Sequence, residues 1–151
     1  MPFQQLKEIL DHIKTMNEEL KEIYLQMKQQ TDEGHTQLLL DYANQQKSNF
    51  EKNISDLNSV ESSKVFESWF QYTPEDELKR ILQEIRASNV SSVDDVAGLT
   101  IKYTDALIDF YKKLKEKTHS EDVTETIDQM IAMHERNKQE FITSVQLFKA
   151  T

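Results

Sequence analysis

Leu6, Ile9, Leu10, Ile13, Met16, Leu20, Ile23, Tyr24 and Met27 recur at steps of three and four residues. That spacing lays one apolar stripe along a helix. Thr31-Asp32-Glu33-Gly34 breaks the stripe, with Thr31 or Asp32 placed to cap the next helix. Leu39, Tyr42, Ala43, Gln46, Phe50, Ile54 and Leu57 then predict a second helix, which a short link makes the antiparallel neighbour of the first. The middle is less regular. Asn58 to Ser63 is polar, Val65 to Tyr72 is the most aromatic stretch, and Thr73-Pro74-Glu75-Asp76 starts a short helix with Leu78, Ile81, Leu82 and Ile85 on one face. Ser92-Val93-Asp94-Asp95 resembles a capping box with Asp in place of Glu, and opens a third long helix whose stripe runs from Val96 to Leu114. After His119 and Ser120 a fourth carries Val123, Ile127, Met130, Met133, His134, Asn137, Phe141, Val145 and Phe148. The expectation is a single all-α domain over residues 1–151. It comprises a hairpin over 3–57, a crossover with its own short helix over 58–91, and a second hairpin over 92–149.

Composition agrees with long helices. Two glycines and two prolines in 151 residues leave little material for the turns of a sheet. A net charge of −9 argues against a nucleic-acid partner, since phosphates call for clustered Lys and Arg. The cluster Lys112, Lys113, Lys115 and Lys117 is diluted by Glu116 and the acidic segment after it. With no cysteine there is no disulfide, thiolate nucleophile or Cys-based metal site. Neither a secretion signal nor a membrane-spanning run is legible, so the expected setting is cytoplasmic, without membrane contact.

The two hairpins also look like copies. Sliding Leu6–Ile54 onto Val93–Val145 puts Tyr24 on Tyr111, Leu20 on Leu107, Ile23 on Phe110 and Phe50 on Phe141. On these anchors the chain resembles the ferritin-like superfamily, in particular its rubrerythrin-like branch, over nearly its whole length. The resemblance implies a four-helix bundle with one long crossover, enclosing two metal ions held by a Glu on the first helix of each hairpin and a Glu-x-x-His on the second. Carried over, those ligands fall on Asn17 and Thr104, on Ala43-x-x-Gln46 and on His134-x-x-Asn137. No carboxylate stands at any of them. Iron or manganese in pairs needs anionic oxygens, which one imidazole, three amides, an alanine and a hydroxyl do not supply. Glu18 and Asp105 are adjacent in sequence but turned by about 100° around the helix.

The expected function is therefore that of a non-catalytic bundle with neither metal nor cofactor, acting as a binding or structural module around a neutral polar layer. The alternative is a metal-binding or redox relative using a displaced site. That site would lie at His134, or at the two hairpin turns, where Asp32-x-x-His35 and Glu116-x-x-His119 are expected to meet at one end, with Glu121 or Asp122 assisting. Phe66, Trp69, Phe70 and Tyr72 are the expected surface for a homodimer or a protein partner.

Overall fold

The computed structural model describes residues 3–60, 63–71 and 76–150. Four long helices follow the apolar stripes: α1 (Leu6–Gln30), α2 (Gly34–Val60), α5 (Val93–Lys115) and α6 (Glu121–Ala150). Between α2 and α5 come the single turn α3 (Ser63–Phe66) and the twelve-residue α4 (Asp76–Ala87). Two three-residue strands, β1 (Phe3–Gln5) and β2 (Trp69–Gln71), complete the described elements. No described helix is long and apolar enough to cross a membrane.

The long helices exist because each buries its stripe against the others. Leu6, Ile9, Ile13, Leu20 and Tyr24 of α1 are buried together with Leu39, Leu40 and Phe50 of α2, Leu107 and Tyr111 of α5, and Ile127, Met130 and Phe141 of α6. Their directions follow from the contacts. Lys28 meets Asp41 and the Lys21 carbonyl meets Asn44, so α2 descends where α1 rises. Tyr24 bonds Thr100 while Asn17 bonds Tyr103, so α5 descends too. Asp94–Lys149, Asp105–Lys138 and Lys115–Asp128 then set α6 rising beside α5. Because α2 and α5 run the same way, the chain between them must climb the length of the bundle. Helix α4 makes that climb in the angle between α1 and α5, burying Leu78, Ile81, Leu82 and Ile85, with Arg86 against Glu19 and Glu84 against Lys102 at its rim.

The helix ends depart from expectation in two places. It is Glu33, rather than Thr31 or Asp32, whose carboxylate accepts from the His35 and Thr36 backbone N–H groups and caps α2. At α5, Ser92 accepts from the Asp95 N–H as the capping box predicts, while Asp95 reaches back to the Ser91 N–H one residue earlier.

The helical expectation is met, with one addition. β1 and β2 form an antiparallel ribbon, pairing Phe3 with Gln71, Gln4 with Phe70 and Gln5 with Trp69. The ladder continues into α1, where the Leu6 N–H donates to the Ser68 carbonyl at 2.9 Å and so satisfies a donor that no side chain caps. Pleating places Phe70 inward, with Trp69 and Phe3 on the outer face. Phe70 is 2% exposed and Trp69 64%.

That alternation corrects the expected interface. Phe66 and Phe70 are core residues and are not available to a partner. Trp69 alone of the expected residues described is exposed, joined by Phe3 across the ribbon. Tyr72, like Thr73 to Glu75 of the expected helix start, lies outside the described residues.

Candidate functional site

A cavity of about 30 Å³ lies at mid-height between the four long helices, room for one or two waters. Of the six positions singled out from the sequence, Asn17, Gln46, Thr104, His134 and Asn137 line it; Ala43, also buried, does not. Two of these five residues tie helices together by hydrogen bonds. Tyr103 donates its hydroxyl to Asn17 Oδ1 at 3.4 Å, and Gln46 Nε2 donates to the Asn137 carbonyl at 2.9 Å. One level away, the Tyr24 and Thr100 hydroxyls share a 2.6 Å bond.

His134 is 6% exposed, its ring 4.0 Å from that of Phe50 and 5.4 Å from that of Tyr111. Its Nε2 has no hydrogen-bond partner among the described residues. Burial, and to a lesser degree the nearby Lys47, push its pKa down to about 3, so the imidazole is neutral over the ordinary range.

Lys47 is the residue that the sequence reading missed. It lies four residues after Ala43 and three before Phe50, which is heptad spacing on the inward seam of α2 and is the signal that points to it. The Lys47 amine lies over the ring of Tyr24, beside Ala43. Nζ stands 5.0 Å from the Tyr24 ring centroid and 3.5 Å from the Ala43 carbonyl. Burial, reinforced by the charge of Lys21, lowers its pKa to about 7. Burial likewise raises the Tyr24 and Tyr111 hydroxyls, which stay neutral. The layer thus brings together one titrating amine, one neutral imidazole, amides and hydroxyls. Its ionisable members, Lys47 and His134, are bases.

The turn histidines do not come together. The His35 ring lies 5.8 Å from that of Phe148 near the end of α6, whereas His119 precedes the start of α6. The stretch of α6 from Glu121 to Phe148, about 40 Å, separates those levels. The expectation of a shared end fails because α2 and α6 are antiparallel, which puts the two hairpin turns at opposite ends. Asp32 and Glu116 are exposed, each at its own turn. Among the described residues there is no cluster of three or more His, Asp or Glu side chains suited to a metal ion.

These features define an α-helical bundle of four long helices and a crossover, with a polar centre that no carboxylate lines among the described residues. No family model, no curated protein and no solved structure matches the chain.

Proposed function

We propose that the protein is a non-catalytic, metal-free bundle of the ferritin-like kind, serving as a binding or structural module. One observation carries the reading: Lys47 lines a cavity with Asn17, Gln46, Thr104, His134 and Asn137, and among the described residues no carboxylate lines it. A pair of divalent ions there would need several anionic oxygens to offset their charge. A lysine is a base and adds no anionic oxygen, and Asn17 and Gln46 use hydrogen bonds to tie α1 to α5 and α2 to α6. The ferritin-like part of the reading is supported by the two parallel inner helices, α2 and α5, and by the crossover that their direction requires. The alternative, a displaced metal or redox site, is disfavoured by the separation of His35 from His119 and by the unaccompanied His134.

We place association with a second copy or a protein partner on the outer face of the β1–β2 ribbon, at Trp69 and Phe3. The deciding experiment on the centre is elemental analysis of protein purified without added metal or chelator. The expected result is far less than one equivalent of iron, manganese or zinc. One or more equivalents, lost on His134→Ala, would overturn the proposal.

A further inference from the structure

The central cavity gathers a cation and hydrogen-bond donors, with no carboxylate among the described residues to balance them. Lys47 lines it, and an ammonium carries three N–H donors. Among the described residues the amine makes one hydrogen bond, to the Ala43 carbonyl at 3.5 Å. Glu51 stands one turn further along α2, yet its carboxylate is turned to Lys21, at 3.7 Å. The other titratable groups about the amine are Tyr24 and Lys21 of α1, Tyr103 of α5 and His134 of α6. None is a carboxylate, and Lys21 adds a second positive charge.

Neutral donors stand beside the cation. Thr104 and the Asn137 side chain line the cavity and make no hydrogen bond among the described residues. Both residues are half-buried and their polar atoms remain accessible. Together with Gln46, also half-buried, they leave the cavity a side toward solvent. The space, about 30 Å³, suits one or two waters. A halide ion is little larger than water and fits; a tetrahedral oxyanion, with four oxygens about its centre, does not. Fixed positive charge and free N–H and O–H dipoles favour an anion, and hydrogen bonds to an ionised partner are the strong ones. A buried ammonium is costly unless it is paired, so an anion here would offset the desolvation of Lys47.

We infer that the central cavity binds one monovalent anion of halide size, chloride, with Lys47 supplying the charge and the Thr104 hydroxyl and Asn137 amide supplying hydrogen bonds. Chloride binds the ammonium and not the free amine, so its binding takes up a proton wherever Lys47 would otherwise be neutral. The inference rests on the binding-module reading of this centre, and the two fail on different measurements. Bound metal overturns that reading; a metal-free centre that ignores chloride overturns this inference alone.

The test is titration of the full chain with sodium chloride at pH 6, followed by the line width of the chlorine NMR signal. Saturable excess broadening is expected, displaced by sodium bromide and not by sodium sulfate. Lys47→Met should weaken chloride about tenfold or more, the worth of a hydrogen bond to a charged group. Thr104→Val keeps the cation and the shape of the side chain, and should weaken chloride about fivefold. In the natural chain affinity should fall about tenfold from pH 8 to pH 9, because Lys47, with its pKa near 7, loses its proton there. If Lys47→Met fails to fold, Thr104→Val and the pH profile carry the test. Absence of saturable broadening, sulfate competing as well as bromide, or chloride affinity unchanged in the folded variants or between pH 8 and pH 9 would each overturn the inference.

Discussion

The amine of Lys47 stands 5.0 Å from the centroid of the Tyr24 ring, and no carboxylate lies within 4 Å of it among the described residues. A cation over an aromatic face recovers about 0.5–2 kcal/mol. Taking an ammonium out of water costs several. The balance is unfavourable, and the lowered pKa of Lys47, about 7, expresses it. Lys47→Met keeps the length of the stem and removes the charge. It should raise stability by about 1–3 kcal/mol at pH 6, read as an increased urea midpoint. A loss of stability would mean that the amine has a partner which outweighs its desolvation.

The same group fixes a pH dependence. Lys47 titrates near 7 in the folded chain and near 10.5 when unfolded, so between those values the unfolded state holds the extra proton. Stability therefore rises with pH across that window. His134, at about 3 folded against 6.5 unfolded, acts in the same sense between 3 and 6.5. Glu51, raised by burial and by its hydrogen bond to Glu18, works the opposite way above its ordinary value of 4.5. Urea midpoints should climb from pH 7 to pH 10 in the natural chain and stay flat over that range in Lys47→Met.

Two of the buried tyrosines, Tyr24 and Tyr111, should respond differently to loss of a hydroxyl. Thr100→Val leaves the Tyr24 hydroxyl, fully buried, without its 2.6 Å bond, and should cost about 1–3 kcal/mol. Tyr111→Phe removes a hydroxyl that has no hydrogen-bond partner among the described residues, and should change stability by less than about 0.5 kcal/mol or raise it. Equal losses in thermal or urea unfolding would contradict the asymmetry.

Gly98 sits exposed inside α5, and a Cβ built on it meets nothing within 4 Å. Its backbone φ is not positive. Gly98→Ala should therefore stabilise the chain by about 1 kcal/mol, seen as a higher melting temperature without change in the helical circular-dichroism spectrum.

Neighbouring aromatics of β2 give a test of the ribbon. Phe70→Ala empties a core position and should cost about 3–5 kcal/mol. Trp69→Ala should leave unfolding nearly untouched, because that side chain faces outward. In sedimentation velocity the natural chain should show a dimer at high concentration that Trp69→Ala dissolves; a monomer in both would remove Trp69 as an association surface.

The four long helices and their inward stripes are legible in the sequence, as is the inward position of Asn17, Gln46, Thr104, His134 and Asn137. Helical periodicity is a local property: whether Asn17 and His134 share the buried face with Leu20 and Phe141 follows from spacing alone. The capping role of Glu33 is not legible, because three neighbouring residues at the turn all offer an oxygen and backbone geometry chooses among them. Nor is the place of Lys47, because a lysine stem reaches either way from the edge of a helix face. In the folded chain its amine lies over Tyr24, beside the Ala43 carbonyl.

The helical class, the extent of the stripes and the absence of carboxylates from the inward layer were determined by the sequence alone. The tertiary structure decided the rest. It paired Gln4 with Phe70 across more than sixty residues, sent the two turn histidines to opposite ends, and left Tyr111 without the partner that Tyr24 has. The physical reason is one of range. Hydrophobic period and charge are carried by each residue and its near neighbours, whereas strand pairing, helix direction and the filling of a cavity depend on groups that only folding brings within reach.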